Sequence, residues 1–165
     1  MPVHDQGIGA DRYTVVARTA IFARDRDSYL LIKGAPSKTL WPGRYNGLGG
    51  HVERGEDIMA AAAREFWEET GLDGRLWLCG TVMVDASEVG ICLFVFTGQV
   101  VGGMLRPSPE GMAEWIPFKQ ITSLPVVEDL PDLLARIHTM SPGDPAFAAR
   151  SYYDPAGVLR IEFAG

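Results

Sequence analysis

The chain has 165 residues, 47% of them hydrophobic and 22% charged, which suits one soluble globular domain with a buried core. Its formal net charge of −6 argues against broad nucleic-acid binding or docking on an anionic membrane, both of which call for a basic face. It leaves room for a small anionic substrate neutralised by a metal ion and a few local cations. Two cysteines, Cys79 and Cys92, are too few for a disulfide scaffold and read as buried free thiols, and His4, His51 and His138 have no zinc-type spacing. No run of about 18 apolar residues is present, so no membrane span is expected. Met1 is not followed by a basic region and an apolar run, and the expected location is cytoplasmic.

Residues 1–11 read as a short lead-in. Residues 13–23, rich in β-branched and apolar side chains, predict a strand, 24–28 a turn, and 29–33 a second strand closing a hairpin with the first. Lys33 ends that strand and is a candidate phosphate contact, with a merely solvated lysine as the alternative. The Pro- and Gly-rich stretch 34–45 predicts a loop of the kind that carries binding groups, and Arg44 within it is a second candidate substrate contact. The glycines of 46–53 permit close backbone approach, and Asn46-Gly47 fits a tight turn. A helix follows, with Asp57 or Glu56 as cap, alanines 60–63 to propagate it and Gly71 to stop it. Met59, Ala62, Ala63 and Phe66 make its expected buried stripe.

Beyond the helix, 75–86 predicts a strand broken at Gly80, and 90–101 a nearly all-apolar strand that belongs at the centre of a sheet. Gly102-Gly103 reads as a turn, 104–111 as a proline-bearing loop, and 112–118 as another strand. Residues 129–138 predict a second amphipathic helix with Asp129 as N-cap, and 148–163 a hairpin turning at 154–157. Strands and helices thus alternate, which is an α/β pattern.

One stretch does not serve stability. Glu65, Glu68 and Glu69 stand at i, i+3 and i+4, so they share a helix face and repel by about 0.2–0.5 kcal/mol per pair. They also lie in the last turns, where the helix dipole disfavours anions. A local rule broken this way marks function, and the simplest compensation is a divalent cation: Mg²⁺ takes a few carboxylates, waters and substrate phosphate.

The spacing from Gly50 through Glu56 and Arg64-Glu65-Phe66 to Glu68-Glu69, Gly71 and Leu72 resembles the signature of the Nudix hydrolases and fills each of its positions. The resemblance implies an α/β fold in which a mixed β-sheet is sandwiched between helices over 1–165. It implies Mg²⁺, with Mn²⁺ as a substitute, held by Glu65, Glu68, Glu69 and a backbone carbonyl near Gly49 or Gly50. It implies an ion pair of Glu56 with Arg64 that fixes the loop against the helix; Glu53, close to the helix start in sequence, is a candidate outer-shell carboxylate. A further acid before the Trp115 strand completes the site, with Glu110 the candidate and Glu114 its rival. Glu65 and Glu110 are both left as candidates for the general base.

The run 40–53 is similar to that of the Nudix subgroup acting on oxidised purine nucleoside triphosphates, with Tyr45, Leu48 and His51 replacing a tryptophan, an aromatic residue and a lysine. Asn46 matches the base-bonding residue, Asp129 one of two acids, and Val127 stands where the subgroup has an aromatic ring. The implied activity is pyrophosphohydrolysis of a nucleoside triphosphate by a monomer or homodimer. Hydrolysis of ADP-ribose, a nucleotide sugar or capped RNA is the runner-up, and a non-catalytic nucleotide-binding module the alternative of a different class.

Overall fold

The computed structural model describes Gly7, Gly9 and residues 11–165. Apart from Gly7, Gly9 and Asp11, the lead-in and its His4 lie outside the described residues. The chain forms β1 (Thr14–Asp25), β2 (Ser28–Gly34), β3 (Tyr45–Asn46), α1 (Ile58–Thr70), β4 (Leu72–Val84), β5 (Val89–Gly103), β6 (Gly111–Pro117), α2 (Leu130–His138), β7 (Phe147–Tyr153) and β8 (Leu159–Phe163). The strands join in the order β3-β2-β1-β5-β4-β7-β8, and β6 pairs with β2. β1 runs parallel to β5, and β4 parallel to β7, while β4–β5, β2–β6 and β7–β8 are antiparallel. The sheet is therefore mixed, as expected. No described helix is long and apolar enough to cross a membrane.

The alternation of side chains along β1 and β2 explains why both strands read as continuous apolar runs. Ile21, Ala23, Leu30 and Ile32 face one core with Leu48, Ala62 and Phe66 of the α1 side. Phe22, Tyr29 and Leu31 face the other, with Leu133, Leu134 and Ile137 of α2. A strand buried on both faces has no polar side to display.

Several expectations need correction. The β1–β2 hairpin is joined only at Arg24–Tyr29 and Asp25–Ser28, because the edge of β1 away from β5 is taken by the glycine loop, at Ile21–Leu48 and Arg18–His51. Asn46 belongs to β3, opposite Ile32, rather than to a tight turn. Gly102 and Gly103 extend β5, opposite Asp73 and Leu72. The glycine break in β4 is a register shift between Leu78 and Gly80, where a side chain would strike the Phe147 ring. A 3₁₀ helix, Phe118–Ser123, lies between β6 and α2 and has no counterpart in the sequence reading. Met59 and Ala63 are exposed, and the inward stripe of α1 is Ala61, Ala62, Phe66, Glu69 and Thr70.

Candidate active site

α1 is set at both ends by its sequence. The Asp57 carboxylate accepts from the backbone N–H groups of Met59 and Ala60 at 2.8 and 2.9 Å, and Gly71 closes the helix at φ 74°. Asp57 is thus the cap, and Glu56 is free for another task. Before the helix, the glycine loop runs antiparallel to β1: Leu48 exchanges backbone hydrogen bonds with Ile21 at 2.7 and 3.1 Å, and the Gly50 carbonyl accepts from the Thr19 N–H at 2.8 Å. Gly49 has φ 132° with the Thr19 carbonyl against its α-carbon, so no side chain fits there. At Gly50 an added Cβ would lie 2.5 Å from Oε1 of Glu65. The two glycines therefore let the loop backbone touch the carboxylates of α1.

Glu69 is turned inward and only 6% exposed, in the middle of the stripe that a hydrophobicity reading assigns to apolar residues. Its Oε2 accepts the Gly49 N–H at 2.8 Å. Burial pushes its carboxyl up to about 7; Glu65 and Glu68 add to the rise, while the Gly49 bond and the Lys38 ammonium oppose it. Glu65 Oε1 and Glu68 Oε2 accept from Arg64 Nη1 at 2.8 and 3.2 Å. The Arg64 guanidinium also holds Glu56 through two bonds, 2.6 and 2.9 Å, and donates to the His51 carbonyl at 3.0 Å. All five of its N–H groups are engaged, so this arginine ties the loop to the helix and has no donor left for a ligand. It holds the Glu56 carboxyl down to about 2, with the Glu53 backbone N–H adding to the effect. Glu53 itself is exposed and does not line the cleft.

The donor chemistry suits a hard divalent cation. Each of the three glutamates has one oxygen bonded within the protein and a second with no protein partner among the described residues. The Gly50 carbonyl accepts from the Thr19 N–H at 2.8 Å and from the Thr19 hydroxyl at 3.5 Å, and the longer of these is the contact a cation would replace. No three His, Cys, Asp or Glu side chains among the described residues stand close enough to form a ready-made cage. Glu65 and Glu68 are drawn instead toward Arg64.

These glutamates open into a cleft of about 710 Å³. Glu110 lines it and pairs with Lys38; Glu114 does not line it and accepts instead from the buried Tyr45 hydroxyl at 3.3 Å. Lys33 is exposed, lies 5.5 Å from the Tyr45 ring centroid and is absent from the cleft wall, so the lysine at the cleft is Lys38. Arg44 lines the cleft and is held by Glu128 at 2.7 Å and the Val126 carbonyl at 3.2 Å. Asn46 lines it too, its Oδ1 accepting from the Gly47 N–H at 2.8 Å.

The remaining wall is apolar, with Val84, Leu93, Val127, Leu133 and Leu159, and one acid, Asp129. Asp129 stands at the head of α2 but makes no capping bond; its Oδ2 accepts from the Ser151 hydroxyl at 3.0 Å. Asp129 is thus the N-cap residue by position, but its side chain turns to β7 instead of capping. Burial raises its carboxyl above the ordinary range, and the Ser151 bond opposes this. Arg18 also lines the cleft and was missed in the sequence; an arginine inside an apolar strand pattern was its only signal.

A family model described as the NUDIX domain matches residues 13–137. The chain is 26% identical over 136 residues to the NAD-capped RNA hydrolase NudC of Stutzerimonas stutzeri (strain A1501), covering 79% of this chain and 47% of that protein. It is 31% identical over 94 residues to the oxidized purine nucleoside triphosphate hydrolase of Mus musculus, covering 55% and 60%. The chain thus spans about half the length of the curated relatives it matches. Its fold is similar to that of the mutator MutT protein from Bacillus halodurans, with a TM-score of 0.70, 27% identity, and coverage of 90% of this chain and 97% of that one. Since the family model runs from the start of β1 almost to the end of α2 and takes in the whole glutamate-bearing unit between them, the chain belongs to the NUDIX domain family.

Proposed function

We propose that the protein hydrolyses a phosphoanhydride of a nucleoside diphosphate linked to a further group, with a nucleoside or deoxynucleoside triphosphate cut to monophosphate and pyrophosphate as the leading substrate. One observation carries this reading: Glu65, Glu68 and Glu69, each with an uncommitted oxygen, share a single cleft with the apolar wall around Asn46 and Asp129. A polyphosphate and a base need those two environments side by side.

In this reading Glu65, Glu68, Glu69 and the Gly50 carbonyl hold Mg²⁺, or Mn²⁺ in its place. When bound, such an ion neutralises phosphate oxygens and lowers the pKa of coordinated water. Arg64 and Glu56 position the glutamates and the loop. Glu110, which lines the same cleft, and Glu65 are the two side chains suited to take the proton of the attacking water. Asn46 and Asp129 offer hydrogen-bond partners to a purine edge, and the 31% identity to an oxidized purine nucleoside triphosphate hydrolase supports an oxidised purine. A second reading, hydrolysis of ADP-ribose, a nucleotide sugar or a capped RNA, is favoured by Val127, an aliphatic side chain where the oxidised-purine subgroup has an aromatic ring, and by the longer match to an NAD-capped RNA hydrolase.

The test is a Mg²⁺-dependent panel of ordinary and 8-oxo purine nucleoside triphosphates, ADP-ribose, a nucleotide sugar and a capped RNA, with Glu69→Gln as control. An oxidised purine triphosphate leading in kcat/KM is the expected result. ADP-ribose or a capped end in the lead replaces the first reading with the second, and no cleavage of any substrate rejects the enzyme.

A further inference from the structure

We infer that Arg18 is the anchor for the substrate's phosphate chain, held ready by His51; this rests on the pyrophosphohydrolase reading above. Three cationic side chains line the cleft apart from His51: Arg18, Lys38 and Arg44. Lys38 is paired with Glu110 and Arg44 with Glu128. Arg64, behind the glutamates, has every donor engaged. Among the described residues Arg18 meets no carboxylate. Its Nε and Nη2 both point at one atom, Nε2 of His51, at 3.1 and 3.0 Å.

That partner matters. Arginine can only donate, so Nε2 of His51 serves as the acceptor for both N–H groups. An imidazole orients the guanidinium without neutralising it, so the full positive charge stays in the cleft and no anion need be displaced when a ligand arrives. Two of the five N–H groups are used and three remain, a planar fork suited to phosphate oxygens.

The backbone ties this residue to the loop that meets the glutamates. Arg18 and His51 face each other in an isolated bridge, the next residue, Thr19, is bonded to Gly50, and Gly50 lies against the Glu65 carboxylate. The His51 carbonyl in turn accepts from Arg64. In a chain of net charge −6, a half-buried arginine that shares a cleft with a glutamate cluster, yet is bonded to none of its members, is placed for an anion that bridges both. A phosphate chain, with oxygens spread along its length, reaches the glutamate site and Arg18 at once.

Binding without turnover tests this. Wild type, Arg18→Gln and Arg18→Lys are titrated calorimetrically with Mg²⁺ and an α,β-imido nucleoside triphosphate, and separately with Mg²⁺ and inorganic tripolyphosphate, which has no base. Mn²⁺ binding is read by electron paramagnetic resonance in all three proteins. Arg18→Gln is expected to weaken both phosphate ligands about tenfold, the loss of a charge-assisted hydrogen bond, while Mn²⁺ affinity stays within about twofold. Arg18→Lys, which keeps the charge but not the fork, recovers part of the loss and serves alone if Arg18→Gln melts without cooperativity. Tripolyphosphate binding as tight as wild type in both variants overturns the anchor, as does an equal loss of Mn²⁺ affinity, which marks a structural role. If wild type itself binds neither phosphate ligand, the pyrophosphohydrolase reading falls and the anchor with it.

Discussion

Glu69 is the side chain on which the two halves of the site meet. It is buried as deeply as a core residue, yet it is an acid bonded to a backbone amide of the opposing loop. Its replacement by glutamine keeps an oxygen for the Gly49 N–H and removes the charge, so the fold survives. Turnover of the best substrate is expected to drop at least about 100-fold, with an unchanged circular dichroism spectrum and melt. A variant within a few-fold of wild type removes Glu69 from the metal site.

Glu56 acts differently, and its contribution is visible in pH. Its folded carboxyl is held down to about 2, chiefly by Arg64, below the usual value near 4.3 of an unfolded chain. A depressed acid stabilises the fold above its unfolded pKa and loses that contribution as pH falls toward the folded one. Wild type should therefore lose stability between about pH 4.5 and 2 more steeply than Glu56→Gln, whose curve starts lower and runs flatter. Parallel acid-unfolding curves for the two proteins reject the ion pair as a stabilising contact.

The limits of α1 were legible in the sequence because they depend on local chemistry: one capping acid, a run of alanines, one glycine. Asp57→Ala is expected to cost about 1 kcal/mol in denaturant unfolding, leaving kcat/KM within a few-fold, since the cap touches only Met59 and Ala60 N–H groups. The inward face of the same helix was not legible. Ranking side chains by hydrophobicity sends Met59 in and Glu69 out, whereas the cleft needs the acid inside. Two side-chain placements were not legible for a related reason. Alternation along β2 puts Ile32 in the core and Lys33 outside, and only the course of the following loop, which no periodicity describes, brings Lys38 back to the cleft. Asp129 sits where a cap should be, but its partner, Ser151, lies 22 residues on, beyond any local rule.

On the scale of the molecule, the parallel pairing of β1 with β5 creates two cores, one on each face of the strands, and the cleft draws on both. The glutamates come from α1 on one side, and Val127, Asp129 and Leu133 from the region of α2 on the other. The spacing of the glutamates was enough to indicate the family, but not this division, which depends on pairings between residues about 75 positions apart, such as Phe22 with Thr97. The division makes a prediction about kinetics. Changes on the α1 side should act on kcat, where charge develops in the transition state, and changes on the α2 side on KM and base preference, where binding is uniform. Asp129→Asn is the sharpest case. Asparagine keeps an oxygen for the Ser151 hydroxyl, so the wall retains its shape, but a half-buried group that was acidic becomes a permanent amide. We expect KM for the preferred purine triphosphate to rise about tenfold with kcat within about threefold, and the ratio of kcat/KM between 8-oxo and ordinary purines to change. If the substitution instead lowers kcat alike for every substrate while KM stands still, Asp129 works with the glutamates, and the two sides of the cleft do not divide the labour as their separate cores imply.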